Sequence, residues 1–174
     1  TAVASLKDTM ARAERDGGKD PGKNLFMAER YAEAGSWLTS ALNSLGRSAE
    51  AVQIGRDARQ VAEAVLEIRP GDFPALYSLG LLEGSLGAAA VEDLRPADAL
   101  PFYARATGVY TTVSRLDPGN RTYANNRASQ YGELSRALWS LGRLEEASQA
   151  LGVAVDATTT VDEGAPTLFL NRLW

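Results

Sequence analysis

The sequence predicts an all-α fold built as an array of antiparallel helix pairs, and three observations carry that prediction. The chain repeats at one interval: Pro70, Pro118 and Pro166 lie 48 residues apart, two of them within Arg69-Pro70-Gly71-Asp72 and Asp117-Pro118-Gly119-Asn120. The same interval links Leu38, Leu86 and Leu134, Ala41, Ala89 and Ala137, Arg47, Arg95 and Arg143, Ala51, Ala99 and Ala147, and Ala58, Ala106 and Ala154. Apolar residues recur at steps of three and four, the spacing of one helix face, as in Ala51, Ile54, Ala58, Val61, Ala62, Val65 and Ile68. The punctuation agrees, because Pro-Gly cannot continue a helix and Gly46 and Gly142 suit left-handed C-terminal caps.

The elements follow in chain order. Thr1 to Arg15, with Val3, Leu6, Met10 and Ala13 on one face, reads as the second helix of a preceding pair, and Asp16 to Gly22 as its exit loop. Asp20-Pro21-Gly22-Lys23 is an earlier copy of the Pro-Gly turn, displaced by one residue. First helices are predicted over Asn24–Leu45, Asp72–Glu92 and Asn120–Leu141, with Asp72 and Asn120 as N-caps. Second helices are predicted over Ala49–Ile68, Asp98–Leu116 and Leu144 to about Thr159. Pro96 and Pro101 leave two readings of the middle one, a late start capped by Asp98 or a helix bent at Pro101. The chain then divides into a half unit over 1–22, units over 23–70, 71–118 and 119–166, and a stub or cap over 167–174.

Composition narrows the function. With 45% apolar and 23% charged residues the chain is too apolar for disorder. Its longest apolar stretch, Leu86 to Val91, falls far short of the roughly 18 residues of a membrane span. A net charge of −4 argues against a broad nucleic-acid surface. The chain has no His and no Cys, which removes Ser-His-Asp and Cys-His nucleophiles, thiolate and imidazole metal sites, and disulfides. No catalytic residue, metal ligand or cofactor site is assigned. The absence of Cys leaves the compartment unread, and the Ala- and Arg-rich usage points to a bacterial genome. Beginning at Thr1 rather than Met, the chain reads as a processed product or a piece of something longer.

The third unit reads Tyr131-x2-Leu134-Ser135-x2-Leu138 and then Ala147-x3-Leu151; the second has Leu86-Gly87, Ala99-x3-Tyr103 and Pro118; the first has Leu38, Leu42, Ala51 and Pro70. Over nearly its whole length the chain resembles a tetratricopeptide-repeat protein, whose pattern is W-x2-L-G-x2-Y, A-x3-F and P. The unit departs from the usual about 34 residues in being longer, and its aromatic and Gly positions are degenerate in the first copy. The long unit, with its Asp-Pro-Gly-Asn and Leu-Gly-Arg-Leu-Glu-Glu-Ala phrases, is similar to repeats carried C-terminally by some bacterial serine/threonine protein kinases. The resemblance implies a right-handed superhelical solenoid whose first helices line a concave groove. Transferred column by column, that groove contains Glu33, Ser36, Trp37, Ser40 and Asn43, then Leu81, Gly84, Ser85, Ala88 and Glu92, then Ser129, Gly132, Glu133, Arg136 and Trp139. Trp37 and Trp139 are the candidate anchors, with inter-helix packing as the alternative for each. The carboxylate clamp of some relatives needs Lys and Asn where Ser36, Ser40 and Ser85 stand here, which disfavours chaperone tails.

Other motifs yield to simpler readings. Gly17 to Asn24 nearly spells a phosphate loop but ends on Asn24 rather than a hydroxyl and follows a helical segment. The carboxylates of Glu145-Glu146 and Asp162-Glu163 are adjacent and so diverge on a helix. Asn120-Arg121-Thr122 is a glycosylation sequon at a position that also suits an N-cap. The sequence therefore predicts a non-enzymatic scaffold that binds a protein or peptide in its groove. Structural self-assembly is the alternative, because Leu168, Phe169, Leu170, Leu173 and Trp174 crowd the last residues and could stack end to end on another copy. A regulatory module of a larger enzyme such as a kinase is the third reading.

Overall fold

A computed structural model describes residues 2–159, and the described residues form seven helices with no strand. They are α1 (Ala2–Arg15), α2 (Leu25–Ser44), α3 (Ser48–Ile68), α4 (Phe73–Glu92), α5 (Pro96–Leu116), α6 (Arg121–Ser140) and α7 (Leu144–Thr159). The starts of α2, α4 and α6 recur every 48 residues, as do those of α3, α5 and α7. Each helix packs on the next in sequence, and α2 also packs directly on α4.

Local chemistry sets these boundaries. Asn24, Asp72 and Asn120 each close the N-terminus of a first helix, their side-chain oxygens accepting from the backbone N–H of Met27, Ala75 and Thr122 at 3.2, 3.0 and 3.1 Å. The second helices α3 and α5 start from Arg47 and Arg95 without a side-chain cap. In the middle unit the helix begins at Pro96, earlier than the predicted Asp98, because proline is tolerated at the first helical position, where no N–H is needed. Asp98 thus lies in the first turn of α5 rather than capping it. Pro101 sits inside the helix, where its missing N–H leaves the Ala97 carbonyl without its helical donor.

The tight turns between paired helices use a left-handed residue, with φ of 68° at Gly46 and 74° at Gly142. The matching position of the middle unit is Leu94, held at φ 58° and 89% exposed. A side chain there clashes with the following carbonyl and gains little from burial. Leu94→Gly is expected to stabilise the fold by about 1 kcal/mol in urea unfolding; a loss of stability would show that the turn tolerates its Cβ.

The core is built on the alanine columns. Ala51, Ala99 and Ala147, and likewise Ala58, Ala106 and Ala154, are all buried, allowing close helix approach. The stripe of α3 is buried at Ala51, Ala58, Val61, Ala62 and Val65, whereas Ile68, at the frayed end of the helix, is exposed.

Candidate functional site

The first helices α2, α4 and α6 bring together a run of aromatic rings. Trp37 on α2 lies 6.5 Å from Tyr77 on α4, Tyr77 lies 5.7 Å from Tyr123 on α6, and Tyr123 lies 5.0 Å from Phe73, centroid to centroid. All three pairs are tilted, the edge-toward-face arrangement that ring quadrupoles favour. Trp37 remains 45% exposed, while Tyr77, Tyr123 and Phe73 are half-buried. Asn126 Nδ2 donates to the Tyr77 hydroxyl at 3.3 Å, tying α6 to α4 beside the rings.

Charged residues on α2 and α6 are paired along their own helices. Arg30 meets Glu33 at 3.0 Å, and Arg136 pairs with Glu133. Burial pushes the Glu133 carboxyl above the usual carboxylate range, with Arg136 opposing. Ser40, Ser85 and Ser129 are half-buried, and Glu92 is exposed, accepting from the Ser48 hydroxyl at the start of α3.

Several predicted groove residues occupy different settings: Ser36 is buried with its hydroxyl donating to the Glu33 carbonyl at 2.8 Å, and Gly84 and Gly132 are buried, Gly84 against the Gln130 side chain. Asn43 is buried, and its Nδ2 donates to the Ser85 carbonyl at 2.7 Å, so its amide joins α2 to α4 instead of lining an open surface. Trp139 is 69% exposed but has no ring partner among the described residues. Its column is that of Asn43, which bonds α4, and of Val91, which packs against the cluster of Ala90, Ala99, Tyr103 and Ala137. Trp139 thus stands apart from the ring run of Trp37. Leu168, Phe169, Leu170, Leu173 and Trp174, the predicted end-to-end contacts, lie outside the described residues.

The other motifs have ordinary structural roles. In the Gly17–Asn24 loop, Asn24 caps α2 and its Nδ2 donates to the Asp16 carbonyl at 3.0 Å, while Lys19 pairs with Glu14 and Lys23 with Asp20. The helix terminus that a phosphate would need is thus already capped. The sequon residue Asn120 is likewise engaged, accepting from Thr122 N and donating to Asp117 at 3.0 Å. Among the described residues no cluster of His, Cys, Asp or Glu could hold a metal ion, and no helix is long and apolar enough to cross a membrane.

Sequence reasoning missed three features. Tyr77, Tyr123 and Phe73 were legible only as aromatics on first helices. Glu83, at 1% exposure, is held between Arg105 of α5 at 2.8 Å and Arg59 of α3 at 3.7 Å; a lone acid inside Leu81-Leu82-Glu83-Gly84 was its signal. The third is a cleft of about 310 Å³ between α3 and α5, lined by Val52, Arg56, Leu86, Ala90, Arg95, Asp98, Pro101 and Phe102. A shallower hollow of about 480 Å³ lies at Lys19, Asp57, Gln60 and Val61. Compared with family models, with curated proteins and with solved structures, the chain finds no match.

Proposed function

We propose that the chain is a tetratricopeptide-like solenoid of helix pairs, coiled as a right-handed superhelix, that binds a peptide or protein segment along the concave face of α2, α4 and α6 without catalysing a reaction. The observation that carries this reading is the ring run from Trp37 through Tyr77 to Tyr123, which crosses three successive first helices. Aromatic rings give large apolar contact at small entropic cost, and Trp and Tyr retain a polar atom for a peptide backbone. Beside Trp37 the Arg30–Glu33 pair leaves that end of the run with little net charge. Recognition would then rest on shape and hydrogen bonding.

The test selects peptides from a random display library on the intact domain, then titrates them against Trp37→Ala and Tyr123→Ala variants of native circular dichroism. Peptides that bind either variant at least about tenfold more weakly support the face, since a buried aromatic anchor contributes 2 kcal/mol or more. Selected peptides that bind both variants as tightly as the intact domain would sink the reading.

A further inference from the structure

The cleft between α3 and α5 differs from its counterparts in the flanking units, and the difference can be read residue by residue. Its floor is Leu86 and Ala90 on α4. Forty-eight residues earlier and later, the Ala90 position is Leu42 and Leu138, both buried. Leu138 packs with Ala147, Ala150, Leu100 and Leu134, which fills the space between α5 and α7. In the middle unit Ala90 shortens that side chain while Phe102 stands on the wall where the flanking units have Ile54 and Ala150, and the cleft measures about 310 Å³, a size within the ordinary range of small-ligand pockets.

The charges at the rim differ in the same way. In the first unit Arg47 and Lys7 both pair with Glu50, so a carboxylate bridges the cleft between α1 and α3. The corresponding residues of the middle unit are Arg95, Arg56 and Asp98, with α1 displaced by one residue in register. Arg95 meets Asp98 at 2.9 Å, but Asp is one methylene shorter than Glu, and Arg56 forms no ion pair or hydrogen bond among the described residues. In the third unit Ala104 stands at the Arg56 position, so no second cation is present there. The middle cleft thus has an apolar hole where its neighbours hold a leucine, and a lone guanidinium where the first unit has a bridged cation. Phe102 on the wall carries Arg105 over its ring at 5.1 Å, and Pro101 beside it leaves the Ala97 carbonyl unpaired in the helix.

We infer that the α3–α5 cleft binds an apolar carboxylate: its hydrocarbon body takes the volume that leucine fills in the flanking units, and its carboxylate pairs with Arg56. A planar guanidinium suits a carboxylate because two parallel N–H donors match its two oxygens. The carboxylate could belong to a small branched acid or to the C-terminus of a peptide ending in an apolar residue. Neither the ring run nor the proposed peptide face enters this inference.

The probes are 4-methylpentanoate, its amide 4-methylpentanamide, and the peptide Ala-Ala-Ala-Leu with a free or amidated C-terminus. Each is titrated into the 15N-labelled protein while the backbone amides of Val52, Arg56, Ala90 and Phe102 are followed. The acid is expected to shift these amides and to bind about tenfold more tightly than its amide, the scale of one charge-assisted hydrogen-bond pair. Arg56→Gln should abolish that preference. Arg56→Glu, at an exposed site that leaves the core untouched, should reject the acid and accept 3-methylbutylamine. Ala90→Leu should eliminate binding, with native circular dichroism as its control. A free peptide terminus binding more tightly than the acid assigns the cleft to a chain end, and the reverse order to a small metabolite. Absence of shifts at 10 mM acid, or equal binding of acid and amide to the intact protein, overturns the inference.

Discussion

Glu83→Ala is expected to destabilise the protein by about 2–4 kcal/mol, whereas Glu83→Leu should remain within about 1 kcal/mol of the parent in urea unfolding. Glu83 is 1% exposed and holds α4 to α5 through Arg105 and to α3 through Arg59. Its Oε2 is buried without a hydrogen-bond partner, so the carboxylate has lost water on one side and regained nothing there. Truncation to alanine opens a cavity and breaks both ionic contacts. Leucine fills the space, and Arg59 and Arg105, with 28% and 48% of their side chains exposed, can turn to solvent. A Glu83→Leu variant as unstable as Glu83→Ala would show that the ion pairs themselves, rather than the occupied volume, hold this junction.

The same residue shapes the pH profile. Burial pushes the Glu83 carboxyl above its ordinary value of 4.5, against the opposing pull of Arg105 and Arg59. The folded state therefore binds that proton more tightly than the unfolded chain. Above the folded pKa the ionised group detracts from stability, and stability rises as pH falls toward 4.5. Glu133 and Glu29 act in the same direction, each raised chiefly by burial. Glu50 and Glu146 act oppositely: hydrogen bonds from Lys7 and from Arg143 hold them below 4.5, and their contribution is lost as pH falls through those lowered values. Glu83→Gln should therefore flatten the loss of stability as pH rises above 4.5. An unchanged slope in the variant would assign the profile to the other carboxyls.

Tyr110 gives the second large effect. Its side chain is fully buried, edge-on to Tyr77 at 6.2 Å and 79°. It also lies against Gly80, where an added Cβ would come within 2.8 Å of the ring. Tyr110→Ala should cost about 3–5 kcal/mol, since it empties a core position packed between α5 and α4. Tyr110→Phe should instead hold or raise stability by up to about 1 kcal/mol, because the hydroxyl is buried without a partner and its removal ends that desolvation cost. Burial pushes the phenol far above its usual range, so it stays neutral and the Phe variant should show the same gain at every pH from 5 to 9. A destabilised Tyr110→Phe would reveal a bond that the hydroxyl makes in solution.

The aromatic face is also where sequence reading stopped short. Trp37 was legible as a candidate anchor, but its neighbour Tyr77 stands 40 residues on, and Tyr123 a further 46, so neither contact falls on the 48-residue interval. Column-by-column comparison aligns equivalent positions and does not see side chains that reach diagonally between units. Asn43 shows the same limit: placed in the groove by its column, it is buried with its amide committed to the Ser85 carbonyl, joining α2 to α4. Trp37 and Trp139 look alike as exposed tryptophans, and only packing shows that Trp37 meets Tyr77 whereas Trp139 has no ring partner among the described residues.

By itself the sequence determined the helix class, the 48-residue recurrence, the caps at Asp72 and Asn120 and the left-handed glycines at Gly46 and Gly142. These depend on backbone hydrogen bonding and on side-chain volume within a few residues, which the local pattern states directly. Only the tertiary structure decided that Glu83 is a buried ionic junction, that the rings of Trp37, Tyr77 and Tyr123 meet across three helices, and that a cleft opens over Leu86 and Ala90. Each of those is a relation between helices, fixed by how closely surfaces pack and what is left between them.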